Sequence, residues 1–467
     1  MPFLPYFNEN TGIFRTFRTV MPEDEAQSEC RKEPEKTTRN VHDSDAGKVL
    51  HAIFYPYILY VSASFCNFAH TYCIPTSRFT MRKLLFICLA FVGLHLLAAP
   101  PTGTQQQQKR LALYGVAFYN LENLFDTIHA PGKNDYEFLP NGSYAWNGMK
   151  YRAKLKNLSE VLAQLCTDRV KAGAAVIGVS EVENRQVLED LVAQPALATR
   201  KLEIVHHDTD DRRGVDCAFL YNPRFFSLER ELYVPYIYPA ADGSADDMGF
   251  VLEEGHVKPL PLYGDTTHIT RGFLCAIGTM GGEPCCFIVN HWPSRGAESP
   301  ARERAAVQVR RLVDALATEY GDGMKFVIMG DLNDDPDNLS LTQGIACKFE
   351  AAKLQGPTDF FNPWYYTLRK QGQGTLLYNN RWNLFDQILV SANAVDQKYN
   401  LKNPPKVADI DLSKGLTFYQ HAIFIRDFLF QQEGRYKGGP LRTHAGGVWL
   451  NGYSDHLPTQ IYLVKQF

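Results

Sequence analysis

The sequence has no excess of positive charge. Its 48 lysines and arginines are balanced by 51 aspartates and glutamates, which gives a formal net charge of -3 over 467 residues. Proteins that hold long nucleic acids mainly through the phosphates carry a basic surface, so the charge balance argues against that class. A protein that acts on phosphate groups can still be acidic when a bound metal ion supplies the local positive charge.

The ten cysteines lack the spacing of a zinc site. The sequence contains no Cys-x-x-Cys pair and no cysteine–histidine arrangement of the kind that binds structural zinc. The spacing of the cysteines names no disulfide pairs, and we expect most of those after residue 100 to be buried as small apolar side chains. These cysteines are Cys166, Cys217, Cys275, Cys285, Cys286 and Cys347.

The N-terminal apolar run is short for a membrane span. MRKLLFICLAFVGLHLLAA starts at Met81 with two basic residues, continues with an apolar run from Leu84 to Leu97 and ends in two alanines. This order is typical of a secretory signal peptide, so we expect residues 81–100 to direct export to the periplasm, the cell surface or the medium. The alternatives are a membrane anchor or a buried helix, and the glutamine-rich stretch at 105–108 disfavours both. We therefore do not expect an integral membrane protein.

A signal peptide belongs at an N-terminus, yet residues 1–80 precede this one and show no clear helical or strand period. We therefore hypothesise that translation begins at Met81 and that residues 1–80 are an upstream mistranslated or disordered segment. Residues 101–110 are then a linker before a folded domain at 111–467. The latter range contains no repeats and no convincing linker, which favours one domain.

From about residue 111 strand-like apolar runs alternate with helical patterns. The i, i+3, i+4, i+7 spacing of one helix face occurs twice, at Leu158, Val161, Leu162 and Leu165 and at Val309, Leu312, Val313 and Leu316. Ser299 and Pro300 precede the second stripe as an N-cap and a first-turn proline. The strand-like runs are residues 115–120, 174–183, 215–222, 285–292, 325–333, 385–391 and 459–464. The alternation predicts an α/β domain.

Polar side chains recur at one end of these runs. They are Asn120, Glu181, His291, Asp331, Asn333, Asp386, Asp455 and His456. A lone acid or histidine at a strand end is more often a cap or a turn residue. Sites in α/β proteins form where strand ends and loops converge, and the joint occurrence of these residues predicts such a site.

The densest group of acids, GDLNDDPDN at 330–338, can be compared with a calcium loop. Asp331, Asn333 and Asp335 match the first three ligand positions, but Pro336 stands where the EF-hand requires glycine. An apolar strand, not a helix, leads into the segment. We therefore reject a calcium loop and expect the pair Asp335–Pro336 to shape a turn. The other two acids, Asp334 and Asp337, are expected to be solvated.

The order of the motifs resembles the endonuclease/exonuclease/phosphatase superfamily, which includes DNase I-like nucleases, sphingomyelinases and inositol-polyphosphate phosphatases. The matching blocks are YNLENLFD (119–126), GVSEVEN (178–184), VNHWPSR (289–295), MGDLNDDP (329–336), FDQILVS (385–391) and YSDHLP (453–458). They keep the family's order across 111–467 and are closest in character to exported bacterial members. The resemblance implies a four-layer α/β sandwich, with two packed mixed β-sheets flanked by helices and the active site at one end.

The resemblance also implies roles for the strand-end residues. Glu181 matches the main metal-binding carboxylate, Asn120 would hold metal or phosphate beside it, and Asp455 would lie next to the metal. Asp331 and Asn333 would flank the attacking water and the scissile phosphate. The resemblance makes two histidines active-site residues: His456, with Asp386 as its orienting carboxylate, and His291.

The chemistry of these side chains supports such roles. Mg²⁺ prefers hard oxygen ligands, so it is the expected cofactor, with Mn²⁺ or Ca²⁺ as alternatives. A carboxylate such as Asp331 can accept a proton from water, and a protonated His456 beside Asp386 can donate to a phosphate oxygen. Arg271 and Arg295 are candidate phosphate clamps, although Arg295 is as easily an exposed surface arginine.

Several neighbouring residues extend the prediction. Glu183 should share a strand face with Glu181, because the two are separated by two positions. We expect Asp208 or Asp210 to pair with His291, whereas His206 and His207 should be surface or turn residues. Residues 393–450 should form a rim on the substrate side, with its cations Arg426, Arg435, Lys437 and Arg442.

The sequence therefore predicts a secreted, divalent-metal-dependent phosphodiesterase that hydrolyses phosphoester bonds, in the first place a nuclease. The alternatives are a sphingomyelinase-like enzyme or another phosphatase of the same fold, and a non-catalytic exported binding module. The last should show gaps in the motif set, and none is seen. The expected partner is nucleic acid or another phosphodiester substrate, and no stable protein partner is implied.

Overall fold

The computed structural model describes residues 110–237, 249–260, 270–434 and 436–467, which belong to one compact unit, Thr104–Phe467. The predictions for the upstream segment, the signal peptide and most of the linker lie outside the described residues, as does Arg435. Among the residues described, no helix combines the length and the apolar character that a membrane span requires.

The helices are α1 (Gly148–Leu162), α2 (Arg185–Val192), α3 (Pro195–Ala198), α4 (Ser299–Tyr320) and α5 (Trp364–Arg369). Both predicted apolar stripes are fully buried, on α1 and α4, although Leu165 lies beyond the end of α1. The predicted N-cap of α4 is wrong by one residue. Glu298 is the cap residue, Ser299 is the first helical residue, and its hydroxyl donates to Glu303 at 2.8 Å.

The strands are β1 (Leu111–Leu124), β2 (Ala174–Val182), β3 (Glu203–His206), β4 (Asp216–Tyr221), β5 (Phe226–Val234), β6 (Phe250–Glu253), β7 (His256–Pro259), β8 (Phe273–Met280), β9 (Glu283–His291), β10 (Lys325–Asp331), β11 (Phe360–Phe361), β12 (Leu376–Tyr378), β13 (Arg381–Asn383), β14 (Asp386–Ser391), β15 (Thr417–Ile423), β16 (His444–Ala445), β17 (Val448–Trp449) and β18 (Thr459–Gln466). Each predicted strand-like run corresponds to one of these strands.

Two six-stranded mixed sheets form the centre of the fold, with strand orders β15-β18-β1-β2-β4-β3 and β11-β14-β10-β9-β8-β5. One parallel pair lies inside each sheet, β1 with β2 and β9 with β10, and the other neighbours are antiparallel. The smaller hairpins β6–β7, β12–β13 and β16–β17 lie outside the two sheets. The predicted fold class, a four-layer α/β sandwich, is confirmed.

The apolar core fills the space between the sheets and extends under the helices on each side. One buried cluster joins the facing sides of the two sheets with α1, and a second joins the outer side of the β10 sheet with α4. Burial of each leucine or valine in such a core contributes about 1.5–3 kcal/mol. The six cysteines of the described residues are buried, as expected from the sequence, and none of the six forms a disulfide.

Candidate active site

Strand register brings the polar strand ends together at one end of the sandwich. Asp331 ends β10, where it pairs with His291 of the parallel neighbour β9 and with Asp386 of the antiparallel neighbour β14. In the other sheet Asn120 of β1 pairs with Ser180 of β2, one residue before Glu181. Parallel strands end on the same side of a sheet, and an antiparallel neighbour begins there, so the topology collects these side chains.

A buried carboxylate orients the histidine of the YSDH motif. The Oδ2 atom of Asp386 lies 2.8 Å from Nδ1 of His456, and the carboxylate has no exposed surface. Burial by itself lowers the pKa of the imidazole, but the carboxylates of Asp386 and Asp331 raise the pKa well above its usual value. His456 is therefore an imidazolium near neutral pH, with its Nε2 facing the site.

Asp331 lies at the centre of the cluster. Its Oδ2 accepts a hydrogen bond from Nδ2 of Asn120 at 3.0 Å and lies 3.7 Å from Nε2 of His456 and 3.7 Å from Nε2 of His291. Burial raises the pKa of Asp331 to about 7, against the opposing effect of the nearby His456. Separations of 3.7 Å exceed a direct hydrogen bond and suit groups that share an oxygen atom of substrate or water between them.

His291 is the second imidazole of the site. Burial, followed by the charges of Arg271 and Arg213, lowers its pKa well below the usual value, so it is neutral. Its Nε2 lies 3.7 Å from Oε1 of Glu181. The predicted partners of this histidine, Asp208 and Asp210, are wrong, because Glu181 and Asp331 face it instead.

Glu181 is held in the left-handed backbone region, with φ of 61°. The pairing of β2 with β4 shifts register between Ser180 and Val182, so the strand bulges at this residue. The bulge breaks the alternation that would place Glu183 on the same face. Oε2 of Glu181 accepts the backbone N–H of Asn123 at 3.0 Å, whereas Oε2 of Glu183 accepts that of Asp126 at 2.7 Å.

Asn333 and Asp455 lie on the loops that border the cluster. Asn333 also has a left-handed backbone, with φ of 51°; its N–H donates to Oδ1 of Asp331 and its Nδ2 donates to the carbonyl of Trp292, both at 3.0 Å. Asp455 is part of the YSDH turn and accepts a hydrogen bond from Arg442 at 3.1 Å. Of the four cations expected on the substrate rim, Arg442 is thus placed beside the site, whereas Arg426 pairs with Asp168.

The two candidate phosphate clamps have internal partners. Arg271 is buried, donates to Asp211 at 2.9 Å and donates through Nε to the carbonyl of His291 at 3.1 Å. Arg295 donates to the carbonyl of Asn333 at 3.1 Å and covers the ring of Phe385 at 4.2 Å. Both guanidinium groups therefore bind backbone carbonyls of site residues, those of His291 and Asn333.

Two further expectations are corrected. His206 is not a surface residue, because its side chain is buried and its Nε2 lies 3.1 Å from Asp216. Asp334 is not solvated, because Arg302 lies 2.8 Å from its carboxylate and the hydroxyl of Ser340 donates to it at 2.7 Å. Asp335 does shape the turn, since its carbonyl accepts the N–H of Asn338 at 3.0 Å and its own N–H donates to Oδ1 of Asn338 at 2.7 Å.

The sequence reasoning missed Lys154. Its ammonium group is buried beneath the site, 3.9 Å from Glu122, and burial lowers its pKa to about 8. Burial and the nearby Asp455 raise the pKa of Glu122 to about 7. A signal was present in the sequence, because Lys154 precedes Leu158 by one helical repeat and so interrupts the apolar stripe of α1 with a charge.

The donor set suits a hard divalent cation. Glu181 and Asp331 place carboxylate oxygens beside His291, and Asp331 and Asp455 place them beside His456. Carboxylate oxygens are the ligands that Mg²⁺ prefers. Asp331, Asp386 and His456 also carry possible ligand atoms within 4.8 Å of one another. Asp386 and His456 already bind each other, so the oxygens on the Glu181 side fit an ion better.

Comparisons with known proteins place the chain in a family. The model of the Endonuclease/Exonuclease/phosphatase family matches residues 115–465. Among solved structures, the chain is similar to an endonuclease/exonuclease/phosphatase family protein from Bacteroides thetaiotaomicron, with 15% identity, a TM-score of 0.44 and coverage of 76% of this chain and 96% of that one. It is also similar to the mannosyl-6-phosphatase Bt3783 of the same organism, with 15% identity, a TM-score of 0.42 and coverage of 75% and 99%. The comparison with curated proteins gave no match.

Two packed mixed sheets that end in a histidine–aspartate pair, acids and amides define a phosphoesterase of the DNase I-like class. The matched range covers more than half of the chain, and the protein belongs to the endonuclease/exonuclease/phosphatase family. The family is generally dependent on divalent metals, and the acidic cluster of this chain can accommodate one.

Proposed function

We propose that the protein is a divalent-metal-dependent phosphodiesterase that attacks the phosphorus atom with water, with nucleic acid as its substrate. The observation that carries the proposal is the convergence of Asp386, His456 and Asp331. A paired imidazolium and a carboxylate whose pKa is about 7 face each other across 3.7 Å. This is the arrangement of an acid and a base on two sides of one reacting group.

Each side chain of the site has a separate role in hydrolysis. Asp331 orients the attacking water and accepts its proton, which suits a carboxylate with a pKa of about 7. His456, held by Asp386, donates to a non-bridging phosphate oxygen, and the fixed positive charge stabilises the charge of the transition state. Neutral His291 and the amide of Asn120 donate from the other side without adding charge.

A divalent cation at the site would neutralise phosphate charge and stabilise the leaving oxygen. Glu181 and Asp455 are the carboxylates we propose to hold it, with the amide oxygen of Asn120 beside them. Mg²⁺ is the proposed ion, because all of these donors are hard oxygens. The bulge at Glu181 and the turn at Asp455 hold these carboxylate oxygens in position.

Partly exposed cations beside the site favour a polyanionic substrate. Arg213 is about half exposed, with 47% of its side-chain surface accessible, and lies 3.6 Å from Glu181. Arg442 has 32% of its side-chain surface accessible and binds Asp455. Cations on two sides of the cluster suit a chain of phosphates that continues beyond the scissile one. This observation supports a nuclease over a phosphomonoesterase.

The experiment is a substrate panel with the purified full chain. Plasmid DNA, RNA, sphingomyelin and a chromogenic phosphodiester are each incubated with Mg²⁺, Mn²⁺ or EDTA. We expect cleavage of a nucleic acid with metal and none with EDTA. Preferential cleavage of sphingomyelin would replace the substrate but retain the chemistry, and no cleavage of any phosphoester with any metal would refute the proposal.

Variants of the protein, tested on the same substrates, identify the residues that carry out hydrolysis. His456→Ala and Asp331→Asn should abolish turnover while circular dichroism remains unchanged. The matched control is His256→Ala, since His256 is exposed on β7 and pairs with Glu319. Wild-type rates in both site variants would remove the roles proposed for them.

We also propose that the protein is exported. The support is the run from Met81 to Ala99, with its basic start, apolar centre and small residues. Fractionation of the producing cells tests it, because an exported protein should appear outside the cytoplasm with residues 81–100 removed. Detection of the full chain only in the cytoplasm would refute export.

A further inference from the structure

A buried ammonium group supports the turn that carries the YSDH motif. Lys154 projects from α1, and its side chain has no exposed surface. Its Nζ donates to the hydroxyl of Thr443 and to the carbonyl of Tyr453, the latter at 2.7 Å. Removing a charge from water is unfavourable, and a leucine at this position of the stripe would pack at no such cost. The burial of this lysine is therefore explained by its polar contacts and not by packing.

The partners of Lys154 belong to the segments that form the site. Tyr453 begins the turn that continues through Ser454 and Asp455 to His456. Glu122 lies two residues after Asn120, and its Oε2 is 3.9 Å from the ammonium and accepts the N–H of Thr443 at 2.7 Å. One ammonium group therefore connects α1, the end of β1 and the two arms of the chain around residues 443 and 453.

The remaining contacts of the turn show what this connection fixes. The hydroxyl of Ser454 donates to the carbonyl of Asn120 at 2.7 Å and accepts the N–H of His456 at 3.1 Å. One helical turn after Lys154, Asn157 donates to the carbonyl of Gly452 at 3.1 Å. The turn is thus held by β1 from one side and by α1 from the other, with Lys154 at the junction.

We propose that Lys154 is a positioning residue, which fixes the Tyr453–His456 turn against α1 and β1 and thereby sets the distance between His456 and Asp331. The inference rests on the proposed function, since His456 and Asp331 are its catalytic groups. The positioning itself is measurable without turnover. Without the ammonium, the carbonyl of Tyr453 and the carboxylate of Glu122 lose their buried cationic partner, and the turn loosens.

Hydrogen exchange of the full chain, without added metal, tests the proposal directly. Lys154→Met keeps the length of the side chain and removes the charge. We expect amides of residues 441–456 to exchange about 10- to 100-fold faster than in the wild type, because an unsatisfied buried group favours local opening. Amides of β10 should be unchanged and serve as the reference for global stability.

The matched control is Lys156→Met, two residues away on the same helix, where 72% of the side-chain surface is exposed. It should exchange like the wild type throughout. Equal protection of residues 441–456 in the two variants would overturn the proposal. An equal acceleration in residues 441–456 and in β10 would also overturn it, because it would show a general loss of stability.

A second variant decides the matter if Lys154→Met does not fold. Thr443→Val removes one acceptor of the ammonium and leaves Lys154 and Glu122 in place. It should accelerate exchange in the same segment, by a smaller factor than the lysine variant. Unchanged exchange in Thr443→Val would then count against the positioning role.

Turnover provides a separate readout. A displacement of about 1 Å at a catalytic group lowers the rate by about 10²-fold, so kcat of folded Lys154→Met should fall to that extent with KM unchanged. Wild-type kcat in this variant would contradict the inference. If the wild type cleaves no phosphoester, the proposed function fails, and the exchange experiment still decides whether Lys154 holds the turn.

Discussion

The neighbouring charges and the burial of each histidine determine its protonation state in the site. His456 and His291 both face Asp331, yet the carboxylates of Asp386 and Asp331 raise the pKa of His456, whereas burial and nearby cations lower that of His291. The two imidazoles differ because only His456 has a carboxylate at hydrogen-bonding distance, at 2.8 Å. The site thus combines one charged and one neutral donor, which suits a substrate that carries a single negative charge on each phosphate.

The pair Asp386–His456 gives the first prediction. Asp386→Asn removes the buried negative charge, so the pKa of His456 should fall and the imidazole should lose its proton at a lower pH. We expect kcat at neutral pH to fall about 10²- to 10⁴-fold, the range for loss of an acid–base group. The measurement is kcat against pH, in which the limb that reports the imidazolium should move to lower pH.

A matched control is available for this change. Asp216 is a buried aspartate that lies 3.1 Å from His206 and takes no part in the proposed chemistry. Asp216→Asn should leave the pH profile of kcat unchanged. Equal losses in the two variants would mean that Asp386 acts only through stability.

At the scale of the elements, the close pairing of strands β9 and β10 determines the distance between the site residues at their ends. Gly330 pairs with Asn290, and a Cβ atom at Gly330 would lie 2.2 Å from the carbonyl oxygen of Asn290. Backbone cannot yield as a flexible side chain does, so a glycine is required directly before Asp331. The sequence motif GDLND therefore contains a packing requirement as well as site residues.

Gly330→Ala should separate these two strands. We expect the free energy of unfolding to fall by about 1–3 kcal/mol, the usual cost of overpacking, and kcat to fall as well. Urea unfolding measures the first quantity. Gly323→Ala is the control, since nothing lies within 4 Å of a Cβ at that loop position. A neutral result for Gly330→Ala would contradict the close approach.

The contact between β15 and α5 introduces a pH dependence of stability. Nε2 of His421 lies 2.8 Å from the hydroxyl of Thr367, and burial lowers the pKa of the imidazole from 6.5 to about 4. The folded state therefore holds this histidine neutral, while the unfolded chain binds a proton below its own pKa. The contribution is unfavourable to folding as the pH falls from 6.5 towards 4 and is absent above that window.

Replacing His421 should flatten that part of the stability profile. We expect the wild type to lose about 3 kcal/mol more than His421→Gln between pH 6.5 and 4, which follows from the size of the pKa change. The measurement is urea unfolding of both proteins at several pH values. Parallel stability curves across this window would contradict the prediction.

At the scale of the whole molecule, the two sheets pack against each other through an apolar core. This packing brings the polar strand ends of both sheets together at one end of the sandwich. Carboxylates gathered in this way repel one another, so a cation that binds them stabilises the folded state. Folding and ion binding are thereby linked: at an ion concentration about 100 times the dissociation constant, the gain is about 2.7 kcal/mol.

Thermal unfolding measures this linkage in the full chain. Mg²⁺ should raise Tm by several degrees relative to EDTA, and Glu181→Gln should remove most of the increase. Glu160→Gln is the control, because this carboxylate is exposed on α1 and pairs with Lys156. The same increase in both variants would show that Glu181 does not hold the ion.

Much of the fold was predictable because its signals are local. Apolar runs of strand length gave each of the predicted strands, and helical spacing gave α1 and α4. The strand-end positions of Asp331, His291 and Asp386 follow from the same runs, and strand register then makes them neighbours. Local periodicity and motif order are properties of the chain itself, so the sequence determined the fold class and the membership of the site.

Tertiary structure decided which partner each polar group takes. Arg271 and Arg295 bind Asp211 and the carbonyl of Asn333, and a bulge separates Glu181 from Glu183. Lys154 reaches a turn that lies almost 300 residues later in the chain. Such pairings depend on distances between segments that are remote in sequence, and neither periodicity nor spacing encodes those distances. The sequence thus determined which strand-end residues gather at the site, and the packing of the two sheets determined which partners they take.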